Sequence, residues 1–199
     1  WMPHGARHTG GVRPAEGRFD LVLGAEHEAL VSSMDRLQMI LVLALDSAER
    51  FNRVTIDEAG EPVVDYRLTP KVLDSLHAAM LASARVFFAS GCDAVHAPAA
   101  TKFLIPAAQA SELAALIPRA GLKPGKISIT SAHLMGGCRM GAGPGTSVTD
   151  SWGRVHGVPW LFVADASLFP QAADINPYLT IMAVSDRVAQ RVREKLPEL

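Results

Sequence analysis

"PWLFVADASLFP", residues 159–170, carries the reading that decides the fold. Trp160–Ala164 is apolar throughout, ends on Asp165 and lies between two prolines. A short continuous apolar run bounded by turn residues reads as a strand covered on both faces, as in the parallel sheet of an α/β domain. The next stretch, "QAADINPYLTIMAVSDRVAQRVREKL", reads as a helix opened by Asn176 and Pro177, because proline has no N–H to leave unpaired in a first turn. Leu179, Met182, Ala183, Val188 and Val192 supply its apolar stripe. Arg187, Arg191, Arg193 and Lys195 gather late, as the helix dipole favours, and read as a solvated face.

Working outward, "MILVLALD" (39–46) reads as a buried strand and "RVTIDEAGEPVVDYRL" (53–68) as a hairpin turning at Gly60. Thr69 and Pro70 are an N-cap and first helical position. The helix they open carries Val72, Leu73, Leu76, Met80 and Phe87 on one side and should stop at Gly91. Residues 97–125, punctuated by alanine and proline, read as a connection more than a core, with one short helix near Ser111–Ile117. Residues 1–18, rich in Gly, Pro and Arg, read as a loop, and a chain opening inside a loop reads as a piece of something longer.

A net charge of -1 offers no electrostatic footprint for nucleic acid or an anionic membrane. The longest uncharged apolar run, "LQMILVLAL" (37–45), is far short of the roughly 17–25 residues of a membrane helix. Cys92 and Cys138 make no disulfide framework, so a reducing, cytoplasmic setting is expected. No basic stretch leads into an apolar one at the N-terminus as a signal peptide requires.

The most distinctive stretch is "SAHLMGGCRMG" (131–141). His133 there admits several roles: core filler, metal ligand, cofactor contact or proton acceptor. A Cys138–His133 nucleophile lacks a third orienting group, and His133, Cys138 and His156 fit no compact zinc spacing, so no metal site is expected. His4, His8, His27, His77 and His96 show no identifiable partner in the sequence.

Taken in order, "HLMGGCRMG", "VTDSWGRVHGVPWLFVADASLFP" and "INPYLTIMAVSDRVAQRV" resemble the C-terminal signature of the glucose–methanol–choline (GMC) oxidoreductases, closest to the branch with cholesterol oxidase and long-chain alcohol oxidases. The match covers residues 131 to about 192, and three segments agreeing in order and spacing make it specific. The resemblance implies an α/β fold with an α+β substrate-domain portion: part of a two-domain FAD-linked oxidoreductase, an FAD/NAD(P)-binding fold beside a sheet-and-helix substrate domain. Residues 19–126 would be the substrate-domain portion and 127–199 the C-terminal portion of the FAD-binding domain.

The same resemblance implies oxidation of a primary or secondary alcohol by hydride transfer to FAD. His133 matches the proton acceptor, which suits a group titrating near neutrality (about 6.5). Asn176 matches the position that supplies a fixed hydrogen-bond donor to the developing alkoxide. Asp165 and Ala166 would touch the ribityl and pyrophosphate part of FAD, and Asn176, Pro177 and Tyr178 at the helix start would face the flavin's pyrimidine edge. As bland alternatives, Asp165 is a turn residue and Asn176 a helix cap. One departure matters: the G-x-G-x-x-G that cradles the FAD pyrophosphate follows no strand in this sequence. A companion N-terminal FAD-binding portion, on another chain or a missing segment, is therefore expected, and without it bare apolar surface. The alternative is a non-catalytic partner subunit or relic of the same fold that binds another polypeptide.

Overall fold

The structure is a computed structural model that describes residues 24–123, 127 and 129–196; the loop expected at 1–18 lies outside the described residues. It consists of helices and small sheets, consistent with an α/β class. The helices are α1 (Ala25–Val31), α2 (Pro70–Ala89), α3 (Leu113–Leu116) and α4 (Tyr178–Lys195). The strands are β1 (Arg53–Ile56), β2 (Pro62–Asp65), β3 (Ala94–Val95) and β4 (Ile105–Pro106). β1 pairs with β2 and β3 with β4, the latter antiparallel with Val95 opposite Ile105.

Local rules set the hairpin and α2 as the sequence expects. Asp57 Oδ1 accepts from the amides of Ala59 and Glu61, and Gly60 turns the chain at φ +81. Thr69 Oγ1 accepts from the Val72 amide, Pro70 fills the first turn, and Gly91 ends the helix at φ +91, a conformation that costs a residue with a Cβ.

Contacts divide the described chain into one unit of residues 24–44 and 55–129 and another of 45–54 and 130–196. In the first unit, the stretch expected to be a connection is the core. Ala97, Ile105, Leu113, Leu116 and Ile117 form one cluster with Ala84 and Val95, and Ile105 is fully enclosed. Met80, Leu81, Phe87 and Phe88 of α2 pack on it. The prolines at 98, 106 and 118 cut this region into segments too short for a hydrophobic period to show, yet these segments bury one to three side chains each in the cluster against α2. The short helix falls at Leu113–Leu116, preceded by a 3-10 stretch over Ala107–Glu112. His77 and His96, without a partner in the sequence, bond the carbonyls of Ile117 and Phe103, each at 2.7 Å. Among the described residues α2 is the one helix long and apolar enough to cross a membrane, but it carries Lys71, Asp74 and Arg85 and packs one side on this cluster, as a core helix does.

Two expected strands are absent from the described structure. Residues 39–46 run without a strand partner, and Met39 and Leu41 are 87% and 74% exposed. A strand exists only where a neighbour takes its backbone hydrogen bonds, and no described residue does so here. Trp160–Ala164 keeps a single bridge, Arg154 to Phe162, and Trp160 and Leu161 are exposed. Turns closed by the Val158 and Leu161 amides fold the chain just before it, so the run never extends into a ladder.

The second unit packs around α4. Its covered face is Ile181, Val184, Ser185, Val188 and Val192, whereas Leu179, Met182 and Ala183, expected in the apolar stripe, are exposed. The first turns of α4 are apolar around most of their circumference, and this chain covers one side of them.

The core assignment has a direct check. Ile117→Ala should lower unfolding free energy by about 2–4 kcal/mol, read from urea denaturation. A loss below about 0.5 kcal/mol would return 97–125 to a mere connection.

Candidate functional site

The segment bearing His133 is held by its backbone. Gly136 turns it at φ +83 close to the Phe169 carbonyl oxygen. The Cys138 amide donates to Ser167 O (3.0 Å) and the Met140 amide to Leu168 O (2.9 Å). Thr149 stands at the centre of this junction with no exposed surface. Its hydroxyl donates to Cys138 O (3.1 Å), its carbonyl accepts from Gly141 N–H (2.9 Å), and it bridges to Met140 on one side and Val155 on the other. A buried hydroxyl so satisfied costs nothing in desolvation and fixes register.

The other side of the junction leads to Asn176. Asp165 caps a 3-10 turn over Ala166–Leu168, its Oδ1 accepting from the Ser167 amide at 2.8 Å; the turn-residue role is the one its contacts display. Leu168 and Phe169 are buried beneath it. Helix α4 opens at Tyr178 with Pro177 as its N-cap, one position earlier in the helix frame than the sequence suggests. Pro177 offers no side-chain cap, so the first amides of the helix, from Tyr178 to Thr180, have no partner among the described residues. The first bond of the helix runs from Ile181 N–H to Pro177 O at 2.8 Å.

Three contacts fix α4 against the preceding loop. The Ser185 hydroxyl donates to the Ala164 carbonyl. Gly153, at φ +77, lets the 150–155 turn press against the helix: a Cβ there would run into the Val163 carbonyl and come within 2.9 Å of Val188 Cγ2. The Trp152 ring lies under two guanidinium groups, Arg187 at 4.2 Å and Arg191 at 5.3 Å from its centroid. These two arginines therefore make a packing contact that the sequence reading did not foresee, while Arg187, like Arg193, keeps the exposure expected of a solvated face. Their spacing of four along α4 already put them on one face, and an aromatic in the turn was the signal to look for.

His133 and Asn176 are both exposed, and neither side chain hydrogen-bonds a described residue. His77, His96 and His156 each hold a carbonyl or hydroxyl, His156 through Ser147 Oγ at 3.0 Å; among the described residues His27, like His133, holds none. Ser147 Oγ also donates to Gly143 O (2.8 Å), which leaves its single proton spent and makes the Ser147–His156 pair a loop clamp. Arg139 is likewise local, its Nε donating to Thr146 O at 2.8 Å. Two clefts are lined by residues from 150–162 and the end of α4, among them Asp150, Arg154 and His156, and neither His133 nor Asn176 borders them. Cys138 is a free, half-buried thiol. Among the described residues no three His, Cys, Asp or Glu side chains converge as a metal site would require.

Comparison with known proteins agrees with the motif order. The sequence model of the C-terminal domain described as "GMC oxidoreductase" matches residues 48–185, more than half of the chain. The chain belongs to the GMC oxidoreductase family. An uncharacterized GMC-type oxidoreductase of Mycobacterium tuberculosis (strain ATCC 25618 / H37Rv) is 31% identical over 173 residues, covering 87% of this chain and 26% of that protein. Paromamine 6'-oxidase of Streptomyces fradiae is 48% identical over 62 residues, 31% of this chain and 12% of that protein. A long-chain-alcohol oxidase of Arabidopsis thaliana is 31% identical over 136 residues, 66% and 18% of the two lengths. The chain thus spans about a quarter or less of the curated relatives it matches.

The junction should be intolerant at Gly153. Gly153→Ala is expected to cost at least about 2 kcal/mol through the clash and the positive φ, measured as a lowered thermal midpoint. A midpoint within about 1 °C of the parent would mean α4 does not rest on this turn.

Proposed function

We propose that this chain is the catalytic C-terminal part of an FAD-dependent oxidoreductase acting on the CH–OH group of an alcohol. The observation that carries the reading is the state of His133 and Asn176: backbone anchors on both sides of the junction, with side chains committed to no described residue. Polar groups serving the fold are bonded, as His77, His96 and His156 are. Groups kept free on anchored segments are positioned for a ligand. The relatives named for oxidation of an alcohol or of paromamine support the same reaction class.

The residues present suit a flavin. Helix α4 offers unpaired amides and the positive end of its dipole beside Asn176, a donor set for the oxygen- and nitrogen-rich edge of the ring, where negative charge gathers on reduction. Pro177 and Tyr178 would line that edge, and Asp165 and Ala166 the ribityl–pyrophosphate arm. When bound, the flavin supplies the hydride acceptor. His133 takes the hydroxyl proton at a ring nitrogen as the carbon loses hydride, and the Asn176 amide donates to the same oxygen as it turns from hydroxyl to carbonyl. An amide does not titrate, so the imidazole alone changes charge there.

A second portion of polypeptide, bearing the remaining FAD cradle, belongs to this reading. Ile175, Tyr178, Leu179 and Met182 stand more than half exposed at the start of α4, more apolar surface than a helix leaves to water once its domain is complete.

In the flavin-loaded assembly, His133→Ala should slow flavin reduction by alcohol about 10²–10⁴-fold while the flavin absorbance stays at its parent level. Reduction at the parent rate would place the proton acceptor elsewhere. Asn176→Ala should lose a smaller factor, about 10–10³, by the same stopped-flow measurement.

A further inference from the structure

The Ser185 hydroxyl donates to the Ala164 carbonyl and so joins residues twenty-one positions apart. Inside a helix a serine ordinarily turns its hydroxyl back to the carbonyl four residues earlier, here that of Ile181, or out to water. This one reaches a different segment. It stands half-buried on the covered face of α4, among Ile181, Val184, Val188 and Val192. An alanine there would pack with no polar group to satisfy and would favour the helix more. The serine is accounted for by its long-range bond, not by the helix.

Ala164 immediately precedes Asp165, whose carboxylate caps the turn over Ala166–Leu168 by accepting from the Ser167 amide. Along α4, Ser185 lies seven residues, about 10 Å of helix rise, from the helix start at Tyr178. The hydroxyl therefore couples the Asp165–Ala166 turn to the helix that opens beside Asn176. The other braces of α4 lie elsewhere: Gly153 beside Val163 and Val188, and Trp152 on Arg187 and Arg191. They keep the helix in place without Ser185, so its bond is spare for holding α4 and specific for where the turn sits against it.

We propose that Ser185 is a positioning residue for the flavin. Its bond to the Ala164 carbonyl sets the spacing between the Asp165–Ala166 turn, which takes the ribityl–pyrophosphate arm, and the start of α4, which takes the pyrimidine edge of the ring. The proposal rests on the flavin reading of this site and deepens it. Ser185 touches neither cofactor nor alcohol and acts through the two elements that do. Both must engage one molecule at once, so an error in their separation loses contacts at one end.

The test compares Ser185→Ala and Ser185→Thr with the parent, in the free chain and in the assembly with its flavin-bearing portion. In the free chain, Ser185→Ala should speed amide exchange at Ser167 and Leu168 at least about fivefold and leave Cys138 and Met140 within about twofold. In the assembly stripped of cofactor and titrated with FAD, it should bind FAD at least about tenfold more weakly. At saturating FAD its flavin midpoint potential should fall, because the helix start is less well placed to stabilise the charge of the reduced ring. The melting midpoint of the stripped assembly should stay within about 2 °C of the parent. Ser185→Thr keeps the hydroxyl and should restore affinity and potential. Parent-like affinity and potential in Ser185→Ala overturn the positioning role and leave the flavin reading standing. Weaker binding accompanied by faster exchange at Cys138 and Met140 and a lowered midpoint makes the serine a general fold contact and also overturns it. A parent assembly that takes up no FAD overturns both.

Discussion

Two backbone hydrogen bonds, from Cys138 to Ser167 and from Met140 to Leu168, join segments some thirty residues apart, and the second unit is arranged about them. Thr149 seals this junction from within, its hydroxyl on the Cys138 carbonyl and its surface fully enclosed. In the proposed reading the consequence is functional as well as structural. His133 lies five residues before one anchor and Asn176 eight after the other, so each catalytic candidate leaves the same junction on a short tether. Helix α4 is then braced independently by Ser185, Gly153 and Trp152. The division of labour is plain: hydrogen-bonded backbone and small or buried residues fix the frame, while the imidazole and amide stay uncommitted.

The same hydrogen-bond logic explains where the chain is bare. Apolar residues at 37–43 and around the start of α4 are exposed, and no described residue covers or pairs them. A free strand gains little from its sequence alone, since its amides must find partners before burial stabilises it.

How much of this was legible in the sequence follows from the range of the interactions. The capping of α2 by Thr69 and Pro70 and its end at Gly91 are local, and the sequence displays them directly. The core of Ile105, Leu113 and Ile117 is not, because the prolines hide its period and only packing on α2 brings its residues together. The run at 39–46 has the composition of a buried strand, but composition does not supply neighbours. The α4 stripe was read correctly at Val188 and Val192 but on the exposed side at Leu179, Met182 and Ala183, because both sides of the first turns are apolar. The order of the three motifs reached the family, while the junction beneath them is built mainly of main-chain bonds, with the Thr149 hydroxyl as its one buried side-chain bond. The contact of Trp152 with Arg187 and Arg191 falls between these cases, legible in the helix spacing of the arginines and hidden in the approach of the turn.

The central claim is that His133 and Asn176 address one alcohol oxygen. An experimental structure of the chain assembled with its flavin-bearing portion and an alcohol inhibitor measures it directly. The expected result places a His133 ring nitrogen and the Asn176 amide nitrogen both within about 3.2 Å of the inhibitor hydroxyl. Finding the two side chains on separate surfaces, with the hydroxyl bound by other groups, would contradict the account.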